Sequence, residues 1–229
     1  MKKRTKTIIA VIAGAAILIG GIWMINESRY PNVPAFDDHF TREFLNKDKK
    51  VDDGFYEFKS KTGQYKMWFP EEYQLIHEND EDYVVSGNMY ERWVASYTKK
   101  YKNDSQINSI SLKLSEGRDP EDESFSVESL MKNRFNVSEP RLIETSNTRI
   151  YYQSAYIYFK GPKKHVVNDN KEHAPSTYVA YVADKNSTKV IQLSIDQVGD
   201  LMEDSEPGKN AWILKILKSI HFNEGKANG

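Results

Sequence analysis

The 229 residues contain no cysteine. That removes disulfides, thiolate zinc sites and cysteine nucleophiles, and it leaves no thiol for a lipid anchor. Nor does one sign of charge dominate: 32 Lys and Arg stand against 33 Asp and Glu. Four of the basic residues sit in the first six positions, so the remainder is acidic on balance and has no global electrostatic reason to seek nucleic acid. Histidine is sparse, at five, and the five are scattered. Catalytic signatures are missing as well: there is no Gly-x-Ser-x-Gly elbow, no phosphate loop, no Gly-x-Gly-x-x-Gly and no His-Glu-x-x-His. A eukaryotic secreted domain of this size more often carries disulfides. With Lys-, Ile-, Tyr- and Asn-rich usage and a short basic leader, the chain reads as a Gram-positive envelope protein. The sequons at Asn103, Asn136 and Asn186 then carry no meaning.

One long hydrophobic run is present. Residues Ile8 to Ile25 are unbroken apolar sequence behind Lys2, Lys3, Arg4 and Lys6. At helical rise they span roughly 27 Å, close to the hydrocarbon thickness of a bilayer. A cleaved signal has a shorter apolar region and a small-x-small exit. Here the exit is Ile22, Trp23, Met24 and Ile25, and Ala13 and Ala15 lie inside the run. The expectation is a retained single-pass anchor with a cytoplasmic N-terminus and the rest of the chain outside, by the positive-inside bias.

Beyond the leader (1–6) and the anchor (7–26), residues 27–53 read as a stalk. In it Phe36, Phe40 and Phe44 recur at helical spacing, between Asp37 and Asp38 at the start and Lys47, Lys49 and Lys50 at the end. The pattern predicts a short amphipathic helix laying its rings on the main domain, with membrane-surface docking as the alternative. Residues 54–222 are long enough for one domain with its own core, and 223–229 read as a flexible tail. Period-two patterning predicts strands around Tyr56–Phe58, Tyr65–Phe69, Tyr90–Thr98, Ile107–Leu114, Thr148–Phe159, Thr177–Ala183 and Lys189–Asp196. Val127, Leu130, Met131 and Phe135 share a helix face after a Ser124/Ser126 cap. Ile213, Ile216, Leu217 and Ile220 form a second stripe after Ser205-Glu206-Pro207. The fold class expected is α+β, an antiparallel β-sheet flanked by helices.

Two segments carry a resemblance. Gly63-Gln64-Tyr65-Lys66-Met67-Trp68-Phe69-Pro70 opens the domain, and Ile216-Leu217-Lys218-Ser219-Ile220-His221-Phe222 closes it. Together they resemble the PsbP-like α/β/α sandwich of photosystem extrinsic subunits and bacterial envelope proteins. The resemblance implies that fold and an accessory role in binding or assembly rather than turnover. It carries over no functional residue.

The remaining candidates are local. Ser96–Lys99 and Ser129–Lys132 match Ser-x-x-Lys, but Lys61-Thr62-Gly63 and Ser86-Gly87-Asn88 precede both matches, the reverse of the penicillin-recognition order. Glu116, Asp119, Glu121, Asp122 and Glu123 cluster without the alternating ligands and glycine of a calcium loop, and read as a solvated acidic loop. Lys99-Lys100-Tyr101-Lys102 and Lys160-Gly161-Pro162-Lys163-Lys164 are its basic counterparts, read as charged loops between strands with contact to anionic wall polymer or lipid headgroups as the functional alternative. Tyr152, Tyr156 and Tyr158 fall on one strand face, with Tyr151 on the other. Packing under a helix accounts for one face; a binding strip for glycan or peptide, with Lys163 and Lys164, is the functional reading. His165, Asp169 and His173 are spaced to align on a helix and hold zinc or copper, but Pro162, Pro175 and Asn168-Asp169-Asn170 favour a polar loop. The sequence therefore predicts a membrane-held, extracytoplasmic binding or assembly module without a cofactor, with an envelope protein or cell-wall polymer as partner. A surface hydrolase or metal-dependent enzyme assembled from distant residues is the alternative.

Overall fold

Alternation becomes strand geometry in the computed structural model, which describes residues 27–100, 105–168, 173–198 and 207–224. Tyr65, Met67 and Phe69 point into the core while Lys66 and Trp68 between them stay partly exposed. Two antiparallel sheets result. The smaller runs β1 (Leu45–Asp52), β2 (Phe55–Lys59), β3 (Tyr65–Pro70) and β13 (His221–Phe222). The larger runs β10 (Lys163–Val167), β9 (Thr148–Lys160), β11 (Thr177–Asp184), β12 (Val190–Val198), β7 (Ser105–Ser115), β6 (Tyr90–Lys100) and β4 (Gln74–Leu75). Beside that path, β5 (Tyr83–Ser86) pairs with β6 and β8 (Arg141–Glu144) with β9. The chain is α+β, mostly antiparallel sheet with few helices.

Both faces of the large sheet are covered, and an interior strand shows it: all eight residues of β11 are buried. Val179, Tyr181 and Ala183 face α2 (Glu123–Phe135), which contributes Val127, Met131 and Phe135. Tyr178, Ala180 and Val182 face the other way, into the main core with Phe58, Trp93 and the α3 (Pro207–Ser219) stripe Ile213, Ile216, Leu217 and Ile220. Each such side chain contributes roughly 1.5–3 kcal/mol on burial. The α2 helix begins at Glu123 without a side-chain cap, so Ser124 and Ser126 lie inside it rather than before it. It ends at Asn136, which takes the left-handed φ of 58° and donates its N–H to Lys132 O at 3.0 Å.

The closing segment works through Ser219. Its hydroxyl donates to Ile216 O (2.6 Å) and accepts the Trp68 N–H (2.9 Å), where β13 has not yet begun to pair with β3. The β13 ladder then takes over at His221 and Phe222, and Asn223 continues it onto Gln64 O (2.8 Å) and Gly63 O (2.7 Å). Asn223 is thus tied down, although the sequence suggests a free tail from that position.

Residues 34–44 differ from expectation. Instead of one amphipathic helix they form a single turn, α1 (Pro34–Asp37), and a 3-10 turn at Thr41–Phe44; β1 follows at once. The sheet therefore starts at Leu45, within the stretch expected to be stalk. Asp38 explains the break: its carboxylate accepts the Thr41 N–H (2.7 Å) and hydroxyl (2.6 Å), which stops α1 and starts the next turn. Phe36 and Phe44 are buried, and Phe40 stacks on His77 (4.5 Å) and meets Tyr83 edge-on (5.4 Å). The three rings belong to the domain, so they are not a free face for a membrane. Among the described residues no helix is long and apolar enough to cross a bilayer. The expected anchor, 7–26, lies outside them.

Candidate functional site

The β9–β10 hairpin holds most of the residues singled out in the sequence. Residues 148–155 of β9 pair with β11; beyond Ala155 the strand outruns β11 and pairs only with β10. Ser176 secures the junction, its hydroxyl accepting the Ile157 N–H (2.9 Å) and donating to Ile157 O (3.3 Å). At the tip Gly161 takes φ +60° and Pro162 follows, a two-residue turn whose first central position needs glycine. Such turns match strand twist, which keeps Lys160 opposite Lys163 and Tyr158 opposite His165.

Strand alternation gives the hairpin two different faces. On one, Ile157 and Val166 pack with the α2 cluster. Lys164 shares that face and donates to Arg134 O (2.6 Å), while Asn168 donates through its amide to Phe135 O (3.2 Å). These bonds occupy carbonyls that the helix end leaves open. Burial, then the nearby Arg134 charge, holds the Lys164 ammonium below the ordinary lysine value. Lys164 is thus a fastening of the hairpin to α2, not a partner of the tyrosines.

The other face carries a row of four rings. His173 stacks on Tyr156 at 4.5 Å, Tyr156 on Tyr158 at 5.5 Å, and Tyr158 on His165 at 4.9 Å, with interplanar angles of 29°, 26° and 10°. Tyr158 is 40% exposed. Lys160 and Lys163 prolong this face at the tip, directly opposite one another and both exposed. Like charges so placed repel, and among the described residues neither lysine has an ion pair. Lys160 belongs to the basic run read from the sequence, and the Lys-Gly-Pro-Lys spacing of a tight hairpin is what brings it opposite Lys163.

Tyr152 shares the parity but not the surroundings. It lies further back on β9, 2% exposed, stacked on Tyr178 (6.3 Å) with its hydroxyl donating to Asn210 Oδ1 (2.7 Å). Burial pushes its phenol above the ordinary tyrosine value. Tyr152 belongs to the core, not to the surface strip, because the sheet is still covered there. As for the metal reading, His165 and His173 stand at opposite ends of the ring row, in a strand and a loop rather than on one helix. Asp169 lies outside the described residues, and among those described no three His, Asp or Glu side chains gather as a metal site would require.

The acidic and polar clusters elsewhere are occupied by structure. Asp119 accepts the Glu121 N–H (2.9 Å), and Glu123 takes Arg149 in a two-pronged pair (2.7 and 2.6 Å) plus the Tyr151 hydroxyl (2.8 Å). A hollow of about 250 Å³ lies between the β11–β12 turn and β13. Its Asp184 oxygens accept Asn186 N–H (3.1 Å) and Ser187 Oγ–H (2.5 Å), and its buried Lys189 donates to Asn223 O (2.6 Å). The Lys61-Thr62-Gly63 turn is held by the buried Glu91, not by substrate geometry.

An α+β domain of paired antiparallel sheets, with an exposed aromatic and cationic hairpin, defines a class by shape alone. A family model described as "Putative lipoprotein YvcA" and labelled YvcA_Mog1p matches residues 31–221, and the chain belongs to this family. The match places it among Mog1/PsbP-like folds and fits an extracytoplasmic, membrane-associated protein. A search of the curated proteins finds no match.

Proposed function

We propose that this chain is a non-catalytic binding or assembly module of the bacterial envelope, a PsbP-like α/β/α sandwich held at the outer face of the cytoplasmic membrane. The observation that carries the reading is the hairpin: an exposed ring row beside Lys160 and Lys163, which face each other with no ion pair among the described residues. Like charges directly opposite one another weaken a strand pair, and a surface kept against that cost is a candidate for contact with a partner. Membership of a lipoprotein family supports the location. With no cysteine in the sequence to carry lipid, the apolar run at residues 8–25 takes the role of anchor, spanning the bilayer once with the basic leader inside.

The lack of cysteine makes the test clean. In full-length protein, Asn186→Cys is the one thiol and sits in an exposed turn. A membrane-impermeant maleimide should label it in intact cells; labelling only after lysis would overturn the location. A photo-crosslinking residue at position 158 should yield an adduct of higher mass in those cells, and the same residue at 186 should not. Equal yields, or no adduct from 158, would remove the hairpin as the contact surface.

A further inference from the structure

We propose that the hairpin strip binds a linear anionic carbohydrate polymer, its charged groups seated along the row His173–Tyr156–Tyr158–His165 and at Lys160 and Lys163. This rests on the binding reading above and names the chemistry of the partner. Because Tyr156 and Tyr158 each have a ring stacked on both sides, these two turn edges rather than faces to solvent. Aromatic edges carry the positive part of the ring quadrupole. Here the row also carries two phenolic hydroxyls and two imidazoles, and none of these has a hydrogen-bond partner among the described residues. The row is therefore a line of donors over a weakly positive edge, beside two lysines that have no counter-charge among the described residues. Each feature favours an anion, and hydroxyls and imidazoles, which both donate and accept, suit a ligand that also bears hydroxyl groups. The row is open, following β9 from Tyr156 to Tyr158 before crossing to His165 on β10, and the shape that suits such a surface strip is an extended chain.

Topology separates this ligand from the membrane. The segment leading from the N-terminus is tied to the β4 edge, through Pro34 O to Gln74 (2.7 Å), Thr41 Oγ1 to the Leu75 N–H (2.8 Å) and the Ala35 N–H to Glu71 O (2.9 Å). The hairpin is at the far edge, six strand places away, roughly 29 Å at about 4.8 Å per strand. The strip thus lies at the sheet edge farthest from the point where the N-terminal segment joins the domain.

The experiment uses the full chain in neutral-lipid nanodiscs and measures binding to polygalacturonate. The comparison probes are neutral dextran, polyglutamate, single-stranded DNA and phosphatidylglycerol vesicles. Polygalacturonate should bind more tightly than all four and weaken steeply with added salt. Lys160→Gln/Lys163→Gln and Tyr156→Phe/Tyr158→Phe should each lower that affinity about tenfold or more, with thermal melting unchanged. Absent binding, binding untouched in both double variants, or a preference for any comparison probe overturns the proposal. The two readings fail separately: an adduct from position 158 in cells without polygalacturonate binding removes the polymer and leaves the module. A lack of any adduct removes the module itself.

Discussion

Glu91 is fully buried in β6 with no cationic partner among the described residues, and replacing it by glutamine tests how the two sheets are joined. Its Oε1 accepts the Lys61 N–H (3.1 Å) and the Tyr83 hydroxyl (2.6 Å); its Oε2 accepts the Thr62 N–H (3.1 Å) and hydroxyl (2.7 Å). The carboxylate thereby clamps the β2–β3 turn of the small sheet onto the large one. Four donors, two of them backbone, compensate for burying a charge. Nearby, the Tyr65 phenol is pushed far up, first by burial and then by the Glu91 charge, and it accepts the Trp93 indole N–H (2.7 Å). Glu91→Gln keeps the shape but turns one oxygen into a donor. Whichever way the amide lies, a hydroxyl can rotate to accept from it, but one backbone N–H, of Lys61 or Thr62, is left without an acceptor. That orphan costs about 1–3 kcal/mol, and the surviving bonds lose their charge assistance. Set against the relief of the buried charge, the net loss is about 2–4 kcal/mol. At roughly 2–4 °C per kcal/mol for a domain of this size, the melting temperature should fall by about 4–16 °C. Thermal unfolding of the full chain in detergent, followed by circular dichroism, reads this directly. A melt within about 1 °C of the parent refutes the clamp, and a higher one means that desolvation outweighs all four bonds.

Two further outcomes follow from the same geometry. Arg149, through its hydrogen bonds, holds the Glu123 carboxyl below its ordinary value, aided by Tyr151 against the opposing effect of burial. A depressed folded value adds stability above the unfolded pKa, and that stability is lost as pH falls through the folded value. Melting should therefore decline from about pH 5 downward, and Glu123→Gln should flatten part of that decline; an unchanged pH profile would show that the pair does not hold α2 to β9. Ser219→Ala strands the Trp68 N–H and should cost about 1–2 kcal/mol in urea unfolding, whereas a cost near zero would mean that water replaces the hydroxyl.

Parity and period were enough to place β2, β3, β6, β7, β9, β11 and β12, whereas β1 falls in the expected stalk and β4, β5, β8, β10 and β13 carry too short or too polar a pattern to be legible. Tyr65, Met67 and Phe69 alternate because one face of β3 meets the core, and Tyr151 and Tyr152 were assigned to opposite faces on the same ground. The α2 and α3 stripes were legible too, since residues three and four apart on a helix must share a face. What failed was any inference that needed a distant residue. The spacing of Phe36, Phe40 and Phe44 looks helical, but Asp38 finds Thr41, and Thr41 in turn finds Leu75. Those contacts, not periodicity, decide the backbone.

The candidate site divides in the same way. Composition alone ruled out every thiol-based chemistry, and residue order along β9 set which tyrosines align. Where the cover over the sheet stops was decided by tertiary structure: Tyr152 lies under α3 and Tyr158 lies beyond the end of β11, although six residues separate them on one strand. Sequence spacing is a local quantity, and burial depends on what the rest of the chain brings to each position. The pairing of Lys160 with Lys163, the turn of Lys164 toward Arg134 and the stacking of both histidines on the tyrosines became visible only once β10 had folded back along β9.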